Sequence, residues 1–161
     1  MQWPAGMEPD HVPVFVHNEI VIEAPAERVW AWLVRVALWP AWYSNCAWVK
    51  LAPGALPELS PGYRWKWKTF GATMESVVQM FEPHREIGWD AKAFANNCYH
   101  GWTLSPVDGN AARTKVVTEE TQNGLINSVA RHYLRRVMPK GHDLWLRSLK
   151  QKAEAGPPPP L

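Results

Sequence analysis

Eleven tryptophans occupy this 161-residue chain, nine of them between Trp30 and Trp102, while isoleucine appears only four times. An indole is large and rigid, and its N–H needs a partner when buried. Protein interiors are filled to crystal-like density, so a dense core is hard to assemble from such blocks. They line a cavity wall more easily, and an aromatic wall with a few polar tips suits a pocket for an apolar guest. Each tryptophan alone also fits an ordinary core or edge position. The set, taken with the order of elements around it, points to a cavity.

Composition narrows the partners. Seventeen basic and fifteen acidic residues leave a formal charge of +2. That balance argues against nucleic acid or an anionic membrane as the main partner, because both reward clustered positive charge. Cys46 and Cys98 stand far apart in no metal spacing and read as free, buried thiols in a reducing cytoplasm. The N-terminus lacks a basic n-region followed by an apolar run, so no signal peptide is expected. No stretch has the apolar length that spans a bilayer, so no membrane insertion is expected.

Periodicity divides the chain into three parts. Residues 1–12 have no repeat and read as a flexible N-terminal arm, with Trp3 able to dock back. Residues 13–154 read as a single domain, and residues 155–161 as a disordered proline-rich tail. Within the domain, Val14 to Ile22 alternates as a strand. Ala24-Pro25 opens a helix with Val29, Trp30, Leu33, Val36 and Ala37 on one face, ended by Pro40. Ala41 to Asn45 reads as a second short helical turn, and Cys46 to Leu51 as a second strand.

Ala52 to Gly62 is a loop by its prolines and glycines. Strand patterns follow at Tyr63–Thr69, Ala72–Glu82, Glu86–Phe94, Cys98–Ser105 and Ala112–Thr121, with turn signals at Gly71, Pro83-His84-Arg85, Asn96-Asn97 and Asp108-Gly109. Each strand shows a charged side, which predicts an antiparallel meander with one wetted face. From Gly124 the period is helical. Leu125, Val129, Tyr133 and Val137 make one stripe. Pro139 and Gly141 are expected to kink or split the helix. His142, Trp145, Leu146, Leu149 and Ala153 make a second stripe. The concave side of the curved sheet is the surface such a helix needs.

This order of elements is joined by specific residues. They are Ala24-Pro25-Ala26-Glu27-Arg28-Val29-Trp30, Trp39-Pro40 with Trp42, and Leu59-Ser60-Pro61-Gly62. Phe81-Glu82-Pro83-His84-Arg85 before Trp89, His100-Gly101-Trp102-Thr103-Leu104 and Thr118-Glu119-Glu120 complete them. Over about Asn18 to Glu154 the chain resembles the START-like (Bet v 1-like) superfamily, in its SRPBCC branch of polyketide cyclases/dehydrases and lipid-transport proteins. The resemblance implies an α+β helix-grip fold: a seven-stranded antiparallel sheet wrapped around a long C-terminal helix, with two short helices between strands 1 and 2. It implies ligand binding more firmly than any one reaction, because one fold hosts many functions.

The strong catalytic motifs are missing: there is no nucleophile elbow, phosphate-cradling glycine loop, His-Glu-x-x-His or Cys-x-x-Cys. No metal and no other cofactor is therefore expected. His100 shares a strand face with Cys98, Trp102 and Leu104. Partly desolvated among indoles, it is a candidate to accept a proton, or else a structural histidine satisfied by its neighbours. Glu120 shares a face with Thr114, Val116 and Thr118. It is a candidate general acid with a raised pKa, or else a partner of Arg or His at the cavity mouth. Trp65, Trp67, Trp89 and Trp102 are the expected ligand-enclosing rings, with Tyr99, Tyr133, His142 and Trp145 as further ligand-binding candidates. Arg131, Arg135, Arg136 and Lys140 read as a solvated basic face.

Three functions fit. The leading one is a carrier or sensor binding a small hydrophobic molecule, aromatic polyketide-like or acyl/lipid. The second is a polyketide cyclase, aromatase or dehydratase using His100 and Glu120. The third is a chaperone-activator-like interaction module with an apolar patch of Trp32, Trp39 and Trp42. A monomer or homodimer is expected.

Overall fold

Alternating inward apolar and outward polar residues fold the chain into one sheet, which the last helix closes. The computed structural model describes residues 1–52 and 54–160, so Pro53 of the expected loop and Leu161 of the tail lie outside the described residues. Seven strands, β1 (Val14–Ile22), β2 (Cys46–Leu51), β3 (Arg64–Thr69), β4 (Ala72–Glu82), β5 (Glu86–Ala93), β6 (Asn96–Val107) and β7 (Asn110–Asn123), pair antiparallel in the order β1-β7-β6-β5-β4-β3-β2. Helices α1 (Ala26–Val34) and α2 (Trp39–Trp42) link β1 to β2. Helix α3 (Leu125–Ala155) crosses the concave face. This is the helix-grip architecture.

The first helix is shorter than its apolar face predicts. It stops at Val34, and Val36–Leu38 tighten into a 3-10 turn. Pro40 does not merely end a helix but sits in the first turn of α2, where its missing N–H costs nothing. Pro139 does not split α3, which runs unbroken for 31 residues. Its carbonyl accepts a hydrogen bond from the Asn18 amide of β1.

The phase of α3 corrects a second expectation. His142, Trp145, Leu146, Leu149 and Ala153 are buried against the sheet and α1, whereas Leu125, Val129 and Tyr133 are exposed. Leu125 and Trp145 are about five and a half helical turns apart, so a straight helix presents them on opposite sides. The larger apolar face fixes the phase, and Leu134 and Met138 continue it toward the N-terminal end.

The tryptophans form a core more than a wall. The fully buried Trp39 meets Trp65, Trp67, Trp89 and Trp145 at centroid distances of 5.0 to 6.2 Å in edge-on or tilted geometry. Tyr43 stacks flat on Trp145 at 4.4 Å. Tilted and T-shaped contacts suit the aromatic quadrupole and stabilise by about 0.5–1.5 kcal/mol each beyond area burial.

Both chain ends lie on the domain. Trp3 packs edge-on against Phe15 and Tyr99 on the outer face of the sheet. Met1 occupies the space that a side chain at Gly101 would need. The tail, expected to be disordered, runs over α1: the Trp32 indole donates to the Gly156 carbonyl at 2.8 Å, and Arg35 donates to that of Pro159. An exposed Trp32–Trp39–Trp42 patch does not form, because Trp39 is fully buried and the Trp32 and Trp42 rings pack on each other.

Candidate functional site

Strand pairing builds the site. Cys98, His100, Trp102 and Leu104 turn inward from β6, and Thr118, Glu120 and Gln122 from β7. The antiparallel register sets His100 opposite Glu120, Trp89 opposite His100 and Val16 opposite Glu120. Directly opposed residues have neighbouring side chains. One row across four strands therefore reads Val16, Glu120, His100, Trp89. Helix α3 lowers His142 and Trp145 onto this row.

Three titratable side chains converge there. His142 Nε2 lies 3.1 Å from Glu120 Oε2, and His100 Nδ1 lies 3.3 Å from the same oxygen. The imidazoles stack at 4.8 Å and 10°. The Gln122 amide donates to Glu120 Oε1. His100 Nε2 meets the Thr118 hydroxyl at 2.6 Å. All three groups are buried.

The charge state follows from these contacts. Burial pushes His100 down to about 3, against the opposing pull of Glu120, so the ring is neutral. Burial alone would raise Glu120. The hydrogen bond from His142, the two imidazole edges and the Gln122 amide outweigh it and hold the carboxyl at about 2. Glu120 is thus a buried carboxylate, the reverse of the raised pKa expected from sequence. The missing information was its donors, since an apolar strand face does not reveal which partners reach it. His100 Nε2 is engaged by the Thr118 hydroxyl, and its Nδ1 edge faces Glu120 Oε2 at 3.3 Å as an electrostatic neighbour. His142 donates Nε2–H to Glu120, and its buried Nδ1 has no partner. Carboxylate, imidazole and free nitrogen stand in the order of a general-base dyad, in which the acid group fixes the tautomer.

The same trio is the group among the described residues that offers three metal-ligand atoms, all within 4.8 Å of one another. His142 Nε2 and the Gln122 amide already hydrogen-bond this carboxylate, and His100 Nε2 is engaged by Thr118.

A cavity of about 180 Å³ opens beside the trio. Trp67, Trp89 and Trp145 form its inner aromatic wall, and Met138, Leu134 and Phe70 lead outward. The buried indole N–H groups of Trp89 and Trp145 and the hydroxyl of Thr69, all belonging to wall residues, have no partner within the described protein. Such orphans are rare in interiors and costly unless something else satisfies them.

Of the residues singled out from sequence, His100, Glu120, His142, Trp67, Trp89 and Trp145 are brought together around this cavity. Trp65 and Trp102 are buried but do not reach it. Tyr99 turns to the outer face of the sheet beneath Trp3, because it alternates with His100 along β6. Tyr133 is 66% exposed on the outer side of α3. Gln122 and Thr69 were missed. Strand alternation already pairs Gln122 with Glu120 and Thr69 with Trp67, which was the available signal.

Comparison with known proteins follows the same lines. A family model described as polyketide cyclase/dehydrase and lipid transport matches residues 14–154. The chain belongs to this family. No curated protein matches the sequence. A hypothetical protein from Helicobacter pylori, jhp0584, is 23% identical, with 95% of each chain covered and a TM-score of 0.86. The ZhuI aromatase/cyclase from Streptomyces sp. R1128 is 19% identical over 88% of this chain and 93% of its own, with a TM-score of 0.70. A START superfamily protein from Mycobacterium smegmatis is 10% identical over 88% and 97%, with a TM-score of 0.73. At these identities the likeness is one of fold. Among the described residues no helix is long and apolar enough to cross a membrane.

Proposed function

We propose that this member of the polyketide cyclase/dehydrase and lipid-transport family binds a small apolar molecule bearing a carbonyl, and moves a proton on it. The carrying observation is the convergence of His100, Glu120 and His142 at the inner end of an aromatic-walled cavity. Fold alone does not require it: burying a carboxylate costs several kcal/mol before its partners offset the loss. The guest is about the size of one substituted ring, since an apolar cavity of roughly 150 Å³ holds benzene.

In this reading His142 Nδ1 removes a proton from the carbon beside the carbonyl. Glu120 holds the tautomer and stabilises the imidazolium that forms, and His100 fixes Glu120 from the other side. The cavity residues Trp89, Trp145 and Thr69 carry unpartnered donors, the type of group that a developing enolate oxygen needs. His142 thereby takes the base role assigned to His100 from sequence. The fold shared with an aromatase/cyclase supports the reaction class.

The test uses tryptophan fluorescence and proton exchange. Single-ring aromatic ketones are expected to quench the indoles saturably, and Met138→Trp, which fills the cavity, to abolish it. Deuterium uptake beside the ketone, followed by NMR, is expected to exceed buffer and to fall at least 100-fold in His142→Ala. Binding without exchange leaves a carrier, and no binding by any such ketone removes both roles.

A further inference from the structure

The exposed stripe of α3 differs in kind from the rest of the surface. Leu125 is 74% exposed, Val129 80% and Phe94, at the β5–β6 hairpin, 91%. These are one patch, because the hairpin backbone at Ala95 lies directly against Gly124, the residue before α3. Ile126 and Tyr133 extend it along the helix, and Phe70 stands on the other side of the cavity mouth. A soluble surface rarely gathers large apolar side chains this way.

Charge marks the same end. From Thr121 to His142, and along the hairpin from Ala91 to Tyr99, there is no acidic residue, whereas Arg131, Arg135, Arg136 and Lys140 are all exposed. None of these four forms an ion pair among the described residues, while farther along α3 Asp143 pairs with Arg147 and Lys150 with Glu154. Net charge near zero hides this asymmetry. Arg136 and Lys140 follow the side of α3 that carries Leu125, Val129 and Tyr133, and Arg131 and Arg135 flank it, so apolar and basic side chains share this end of the helix, as in helices that lie in a lipid interface. An acidic protein would match the cations but gives no reason for Phe94, Leu125 and Val129 to be bare.

We propose that the mouth of the cavity docks on an anionic lipid surface, with Phe94, Leu125 and Val129 entering the headgroup layer and the four cations meeting lipid phosphates. Docking is peripheral and places the opening of the cavity against the membrane. It needs only the surface, so it stands apart from the reaction at His142.

Flotation with vesicles tests it. At 100 mM salt the wild-type protein is expected to bind phosphatidylcholine vesicles containing about a third phosphatidylglycerol at least tenfold more tightly than phosphatidylcholine alone, with loss at 500 mM salt. Val129→Asp with Phe94→Ser is expected to lower binding at least tenfold while circular dichroism, melting temperature and ketone quenching stay unchanged. No binding to the anionic vesicles, or equal binding by the double variant, overturns the proposal. So does a concentration-dependent dimer in sedimentation that the double variant abolishes, since a second copy then covers the patch. Quenching retained without vesicle binding leaves the cavity reading intact.

Discussion

The imidazoles of His100 and His142 stack at 4.8 Å and 10°, and both turn an edge nitrogen toward one oxygen of Glu120. One ring comes from a strand and the other from the closing helix. The carboxylate therefore links sheet to helix at the point where the cavity ends.

Removing that link is costly. Glu120→Ala leaves the buried His142 imidazole and the Gln122 amide without their acceptor and removes the charge facing His100. Breaking one side of a buried charged network costs roughly 3–5 kcal/mol. Urea unfolding is expected to show this loss with an unchanged slope, and Glu120→Gln a smaller one.

Acid is expected to weaken the fold in two stages. His100 is held at about 3 against an ordinary 6.5, so below pH 6.5 the unfolded chain takes up a proton that the folded one refuses. Stability from this group is complete above 6.5 and falls toward pH 3. Glu120, held at about 2 against 4.5, contributes fully above 4.5 and is lost as pH falls toward 2. Urea midpoints at pH 7, 5.5 and 4.5 are expected to decline. In His100→Gln the decline between 6.5 and 4.5 shrinks, and an unaltered decline refutes the assignment.

Trp39 is expected to behave as a core residue rather than a ligand contact. It touches four other tryptophans and does not line the cavity. Trp39→Ala is expected to cost about 3–5 kcal/mol. Trp67→Phe, at the cavity wall, changes ketone affinity more than it changes the urea midpoint.

Gly141 separates the same two properties. A Cβ there meets the tip of the Phe70 ring at 2.1 Å. That ring is half-exposed at the cavity mouth and can swing away. Replacing a helical glycine by alanine gains up to ~1 kcal/mol. Gly141→Ala is expected to hold or raise the melting temperature while altering ketone affinity severalfold. A large loss of stability shows that Phe70 is fixed.

Alternation and helical spacing determined the strands, the closing helix and the inward side of His100 and Glu120, because side-chain direction along a strand is a local property with a period of two. Local pattern also put Cys98, His100 and Trp102 on one face, and the structure keeps them there. Only the tertiary structure decided that His142 is the third member of the trio, that the carboxyl is ionised, and that most tryptophans fill space instead of enclosing it. Register across β5, β6 and β7 and the rotation of α3 set those distances. A stripe such as Leu125–Val129–Tyr133 has the spacing of a buried face, yet the larger stripe from His142 to Ala153 fixed the phase of a rigid helix and left it outside. Contacts between residues far apart in the chain carry the donors that settle a pKa, and no local pattern records them.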